Sequence, residues 1–560
     1  MSLNSMTVAL DRYEADARAE LDKLKQIQFA ERFWQKDPTL WPGGPADQVA
    51  GMLGWVDILP KIEARLAEIT AFVDDIKSSG FTRVVLAGMG GSSLAPYVLA
   101  SCFPLVEGGL PITVLDSTDP VSVLRVQNEG PLDTTLFIIS SKSGSTAEPT
   151  AFDAYFFDKV GKPENFVAIT DPGSPFEIEA KASKYRHVFL NYSDIGGRFS
   201  ALSLFGMIPA ALMGLDVPRI LSEATVMVTA NLTTEGDAFW LGAILGRASL
   251  DHQNKLTILT TKSLASYGLW LEQLVAESTG KKERGILPVA GESLAAPAAY
   301  GQDRIFAYFR FAGDPEVNVE PLKAAGHPVI TIDLADAYGI PQEFLRWEIA
   351  TATVGHILDI NPFDQPNVQE SKDVTKKLLK VVEEEGKLPA VPGGIHESRM
   401  VIYGEDEADD FADAWFIFFG DAAPGDYVCI QAYLPESAAL SAELTILQST
   451  FRDELGLATT CGYGPRFLHS TGQYHKGGTN SGYFVQLTAD HPMDAPIPGH
   501  VASWAVFIDA QAQGDLEALK AKGRRCIRVH FGIDPAAQIA ELISTIKRGL
   551  ARRPEGMDGR

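Results

Sequence analysis

The chain reads as an α/β protein with two successive doubly wound parallel sheets followed by a third α/β unit. Three observations predict this. Short apolar runs alternate with helical stretches from residue 81 onward. The runs are continuous rather than alternating in polarity, as expected of strands covered on both faces. Gly- or Ser-rich turns follow two of the early runs, where a strand of such a sheet passes into a helix and ligands gather.

Residues 7–40 carry an amphipathic helical pattern. Strands of a first sheet are expected at 83–87, 112–116, 135–139, 166–170 and 187–190. A second series starts near 231, with strands expected at 256–260, 304–309 and 329–332. Residues 380–394 turn from charged to Pro/Gly-rich and read as a linker. Beyond it, strands are expected at 400–403, 428–433, 483–487 and 526–531. The implied division is an N-terminal helical segment (1–44), two α/β units (45–230 and 231–388) and a C-terminal α/β domain (389–560). The chain shows no internal repeat.

Composition narrows the function. The 560 residues suffice for several cores, and 46% hydrophobic with 21% charged content is ordinary for a globular chain. A net charge of −24 disfavours nucleic acid and anionic membranes as partners. An anionic substrate therefore needs a locally built site. The four cysteines (Cys102, Cys429, Cys461 and Cys526) form no CxxC pair, which argues against zinc and against a disulfide scaffold. The start lacks a signal-peptide pattern, and Met6 is the expected native start after an expression remnant. The longest apolar stretch, 202–215, is broken by Pro209 and too short to span a bilayer. A cytoplasmic protein is expected.

The most telling motif is Ser140-Ser141-Lys142-Ser143-Gly144-Ser145-Thr146, between an apolar run and a helical pattern. A helix N-terminus there offers free N–H groups and a favourable dipole to an anion. One N-cap needs one hydroxyl, whereas residues 141–146 hold four and an ammonium. The cluster predicts a phosphate site. Gly88-Met89-Gly90-Gly91-Ser92 forms a similar turn, although glycine serves any tight turn. In Gly196-Gly197-Arg198-Phe199-Ser200 an arginine follows two glycines. It suits an anion, and a surface arginine on a turn accounts for it equally well. Gln273 and Glu277 lie four apart on a helical pattern and share a face. Lys372 lies in the first turns of a helix after Asn361-Pro362-Phe363-Asp364-Gln365.

Together these segments resemble the glucose-6-phosphate isomerase family over roughly residues 80–375, in the family's order. Gly90-Gly91-Ser92 looks like the first sugar-isomerase (SIS) loop, and Ser141-Lys142-Ser143-x-x-Thr146 resembles the phosphate loop. Gly196-Gly197-Arg198-Phe199-Ser200 closely matches the first family signature. Glu277-Ser278-x-Gly280-Lys281 resembles the segment of the catalytic base. Phe363-Asp364-Gln365-x-x-Val368-x-x-x-Lys372 resembles the second signature, with Asn367-Val368-Gln369 in place of its Gly-Val-Glu. The resemblance implies two SIS domains. It also implies reversible isomerisation of glucose 6-phosphate and fructose 6-phosphate, a homodimer, and no metal or organic cofactor.

The implied roles follow residue by residue. Glu277 is the base that moves the proton between neighbouring carbons. Arg198 stabilises the enediolate, and Lys372 acts in ring opening. Ser92, Ser141, Lys142, Ser143 and Thr146 hold the phosphate, with Gly91 and Gly197 allowing close backbone approach. Gln273 and Gln365 orient sugar hydroxyls. The family's ring-opening histidine is missing from its usual interval, where 291–303 holds Asp303 and no histidine. His327 and His356 are the only histidines between the base and Lys372, and His356 sits in an apolar helical stretch that suits packing. The third unit resembles the tail of transaldolase–isomerase fusions and carries a basic, glycine-rich loop at 464–478. His475 of that loop is the expected substitute, with His469 as alternative. Other readings are a non-catalytic sugar-phosphate sensor, which would not need Glu277, Arg198 and Lys372 together, and an isomerase that also accepts mannose 6-phosphate.

Overall fold

The computed structural model describes residues 2–405 and 407–553. Strand β1 (Ser5–Ala9) opens the chain. Strands β2 (Arg83–Gly88), β3 (Ile112–Leu115), β4 (Thr135–Ser140), β5 (Phe166–Thr170) and β6 (His187–Leu190) follow. They form one sheet in the order β3-β2-β4-β5-β6, parallel throughout. Every residue of β4 and β5 is buried, as their unbroken apolar runs require.

The second sheet uses β7 (Lys255–Thr260), β8 (Leu287–Ala290), β9 (Arg304–Phe311) and β10 (Val329–Leu334). Its order is β1-β10-β9-β7-β8. Here the structure corrects the expectation of a helical N-terminal segment at its first residues only, since helices Glu14–Gln26 and Phe29–Trp34 stand where the pattern predicts them. Residues 5–9 pair antiparallel with β10, from Ser5↔Asp333 to Ala9↔Val329. Asn4, just before them, is buried and donates to Gly339 O and Glu343 Oε1. The physical reason is an open sheet edge at β10, which a short alternating segment can satisfy. Strand β8 also escaped the sequence reading. It contains Pro288, which an edge strand tolerates because one side of its backbone needs no partner.

The third sheet comprises β11 (Ile395–Glu397), β12 (Met400–Tyr403), β13 (Tyr427–Tyr433), β14 (Ala458–Tyr463), β15 (Gly482–Ala489) and β16 (Arg525–Phe531). Its order is β11-β12-β16-β15-β13-β14, with β12 antiparallel to both of its neighbours and the remaining pairs parallel. No helix among the described residues is long and apolar enough to cross a membrane. The stretch at 202–215 instead supplies helix Leu204–Leu212, buried at every position.

The three sheets share packing rather than standing apart. One apolar cluster runs from Leu10 through both of the first two sheets to Phe363. Ile497, Trp504 and Phe507 of the third unit join the core of the first sheet. Leu287 and Val289 of β8 pack with Tyr427 and Phe484 of the third sheet. The site described next forms where all three meet.

Candidate active site

Two glycine turns press together at the centre. A Cβ on Gly91 would stand 1.9 Å from Gly197 O, so only hydrogen fits between these backbones. Ser200 Oγ donates to Gly91 O at 3.3 Å, and Ser140 Oγ donates to Ser92 O at 2.8 Å. The two turns and the phosphate loop are therefore tied into one floor. Gly91→Ala is expected to cost ~1–3 kcal/mol or more through overpacking. A denaturant midpoint unchanged from wild type would contradict this close packing.

From this floor Arg198 reaches inward, 2% exposed. Its Nε donates to Ser278 Oγ at 2.7 Å. Nη1 donates to Gln365 Oε1 at 3.0 Å, and Nη2 donates to Pro362 O at 2.6 Å and Asp364 O at 2.8 Å. Burial pulls its pKa down, against the pull of Glu277 and Asp364. The guanidinium lies 3.4 Å from Glu277 Oε1. Glu277 itself is buried on helix Ala265–Thr279. One turn earlier on the same helix, Gln273 Nε2 donates both to Glu277 Oε2 (3.0 Å) and to His469 O (2.8 Å). Gln273 Oε1 finds no partner among the described residues. Lys281 grips Asn361 O and Asp364 O, and burial lowers its pKa to about 7. It thus fixes the segment that holds Arg198 and carries Gln365.

The phosphate loop borders a cleft of about 120 Å³ lined by Ser143, Ser145, Thr146, Lys372 and His469, among others. Thr146 stands at the N-cap of helix Ala147–Val160. Ser143 Oγ lies 3.4 Å from Thr146 Oγ1. Ser141 Oγ is buried without a partner among the described residues. Lys142 departs from expectation. Its ammonium pairs with Asp171 and donates to Ser193 O, and it does not line the cleft. An acidic residue at the end of the adjacent strand has captured it, so this ammonium is engaged away from the cleft that the loop hydroxyls border.

The histidines are sorted by their partners. His469 Nε2 lies 2.9 Å from Glu148 Oε1, in the first turn of helix Ala147–Val160. Glu148 also accepts from Gln511 Nε2 at 2.7 Å. Burial works against the Glu148 carboxylate, yet His469 and Lys372 hold its pKa below the ordinary value. His475 does not meet this group. Its ring packs on Phe467 and Phe484, and Nε2 lies 3.4 Å from Cys429 Sγ. Burial drives its pKa well down, with Lys476 and Arg524 adding to the effect. Of the two, His469 borders the cleft and His475, the expected substitute, does not. The short helix Gly472–Gly477 turns His475 inward, while His469 precedes it and faces the cleft. His327 meets Tyr300 and Phe306 edge to face, and His356 Nδ1 lies 2.5 Å from Leu40 O, both away from the site. Where the family histidine was sought, the structure has a buried Arg304–Glu292 pair, with both guanidinium bonds at 3.1 Å.

Sequence reasoning missed Glu148, Gln511 and Gln473. Gln473 accepts from Asn367 N and donates to Asn367 Oδ1 and Gly280 O, tying the departed second signature to the segment after the base. Glu148 had a visible signal, an acid beside the phosphate loop, but an acid in a first helical turn also reads as a dipole partner. Gln511 and Gln473 had none. Among the described residues no group of three or more His, Cys, Asp or Glu side chains is placed to hold a metal ion.

A family model described as phosphoglucose isomerase matches residues 48–301. Glucose-6-phosphate isomerase of Nostoc punctiforme (strain ATCC 29133 / PCC 73102) is 30% identical over 437 residues, covering 67% of this chain and 81% of that protein. The enzyme of that name from Synechococcus sp. (strain JA-3-3Ab) is 28% identical over 425 residues, covering 66% and 78%. In fold, the chain is similar to a hypothetical protein from Thermus thermophilus (TM-score 0.58, 24% identity, 67% of this chain and 99% of that one). It is also similar to a glucose-6-phosphate isomerase from Chlamydia trachomatis D/UW-3/Cx (TM-score 0.52, 19% identity, 67% and 86%).

Proposed function

Because this chain belongs to the glucose-6-phosphate isomerase family, we propose that it works through Glu277, Arg198, His469 and Lys372. It interconverts glucose 6-phosphate and fructose 6-phosphate. The observation that carries the assignment of roles is the link from Arg198 through Glu277 and Gln273 to His469.

The hydroxyls of Ser141, Ser143 and Thr146, with the N–H groups of the helix that follows, hold the phosphate, and Ser92 O braces their loop through Ser140. Their contribution is positioning. Ring opening needs one group to protonate the ring oxygen and another to take the hydroxyl proton. A His469 ring whose Nε2–H donates to the Glu148 carboxylate keeps Nδ1 as the base. The Lys372 ammonium, lining the same cleft, supplies the other proton. In the open-chain sugar, Glu277 removes the proton beside the carbonyl and returns it to the neighbouring carbon. The enediolate formed in between carries negative charge, which Arg198 offsets without having to reorganise. Gln273 and Gln365 orient the sugar hydroxyls.

The reading is tested by fructose 6-phosphate turnover, with glucose 6-phosphate detected through a coupled dehydrogenase, before and after EDTA. Turnover that survives EDTA supports the proposal; turnover restored only by added metal ends it. The histidine assignment has its own test. His469→Asn is expected to slow cyclic substrate by about 10²-fold or more, with a smaller effect on pre-opened sugar. His475→Asn is expected to spare the chemistry. The opposite pattern would return the role to His475. A cytoplasmic homodimer completes the proposal, supported by the family, and sedimentation of the purified chain tests the dimer.

A further inference from the structure

One space apart from the phosphate cleft is left unexplained by the isomerase reading. A cavity of about 410 Å³ lies between helix Leu94–Cys102, helix Ala265–Thr279 and the β14 side of the third sheet. It shares no lining residue with the cleft of the phosphate loop. Its volume falls within the range of small-molecule sites.

The lining is graded. Ser101, Lys262 and Ser263 are exposed at its rim, whereas Glu272, Thr460 and His475 are buried in its interior. His475 is 1% exposed, and its Nδ1 has no partner among the described residues. Burial raises the Glu272 carboxyl to about 8, so at neutral pH it is an uncharged donor and acceptor. Burial likewise keeps the His475 ring neutral. The interior therefore offers hydrogen-bonding groups and no free charge. Arg466, which also lines the space, is already spent on Asp116 (2.7 and 2.8 Å) and Glu436 (2.8 Å).

This gradient selects a ligand. A second sugar phosphate would bury an anion without a free cation, which is costly. A plain hydrocarbon would leave the buried His475 Nδ1 unpaired, at ~1–3 kcal/mol. A flat, uncharged heterocycle with ring nitrogens and exocyclic donors answers both, while the apolar side chains of Leu269, Leu444 and Phe467 cover its surface. The rim, with hydroxyls and one ammonium, suits a hydroxylated or anionic appendage. We propose that this cavity is a binding site for a nucleoside or its 5′-monophosphate, base inward, separate from the isomerase site.

The two sites share a wall. Phe467, Ser470, Thr471 and His475 line the cavity, whereas Leu468, His469 and Lys476 of the same segment line the phosphate cleft. Glu272 lines the cavity, and its neighbour Gln273 on the same helix donates to His469 O. Occupancy of the cavity therefore bears on the placement of His469, giving the isomerase a second input.

The test is calorimetry and thermal shift of the whole chain with adenosine, guanosine, cytidine and uridine and their 5′-monophosphates. At least one pair is expected to bind and raise the unfolding temperature, without displacing fructose 6-phosphate. Thr445→Trp, which fills the cavity from a half-buried helical position, is expected to weaken that binding tenfold or more and to keep turnover. Ser101→Trp, at the exposed rim, serves the same purpose if Thr445→Trp does not fold. Lys262→Ala separates the two ligand forms, weakening the monophosphate and sparing the nucleoside. No binding by any of them at millimolar concentration, displacement by fructose 6-phosphate, or undiminished binding to a folded filled variant would each overturn the proposal.

Discussion

Glu277→Gln is expected to lower kcat by two to four orders of magnitude, a loss of ~3–5 kcal/mol of transition-state stabilisation, with little change in KM. The amide preserves the size of the side chain and can still meet Gln273 and Arg198. It cannot accept the carbon-bound proton. Phosphate anchoring lies elsewhere, in the Ser141–Thr146 loop, so the ground-state complex should form normally. A variant with near-wild-type turnover would remove Glu277 from the base role. A parallel rise in KM would instead assign it to substrate binding.

Arg198→Lys is expected to cost about 10²–10³-fold in kcat, the scale on which losing one charge-stabilising donor acts. The substitution keeps a positive charge, so a purely electrostatic view would call it mild. The contacts argue otherwise. The guanidinium serves Ser278, Gln365, Pro362 O and Asp364 O in fixed directions. A lysine ammonium has three donors on a flexible stem and cannot reproduce that fork. Carbonyls left unpaired in a buried site add ~1–3 kcal/mol each to the stability loss. The urea midpoint should therefore fall together with kcat. Retention of both would mean that Arg198 neither orders the 362–365 turn nor faces the developing charge.

Much of the architecture was legible because the central strands of the first two sheets are buried on both faces and read as unbroken apolar runs. The exceptions are edges. Strand β8 carries a proline, β14 is Thr- and Gly-rich, and β1 owes its form to the partner it meets at β10. The glycine turns and the helix carrying Glu277 were legible as local patterns with specific spacing. The choice between His469 and His475 was not, since six residues separate them and only the turn of a short helix decides which way each faces. Lys142 was misplaced for a related reason. Its partner Asp171 lies 29 residues onward, brought near by strand pairing that no local pattern reports.

The second unit supplies Glu277, the first supplies the phosphate loop and Arg198, and the third supplies His469 across the Gln273 contact. In the proposed mechanism, turnover reports assembly rather than the folding of any single unit. A chain nicked within residues 386–394 would keep its three cores yet stay active only while the third unit remains seated, so residual activity would measure the strength of that seat. Under that mechanism, catalysis is a gauge of how firmly one part of the molecule holds another.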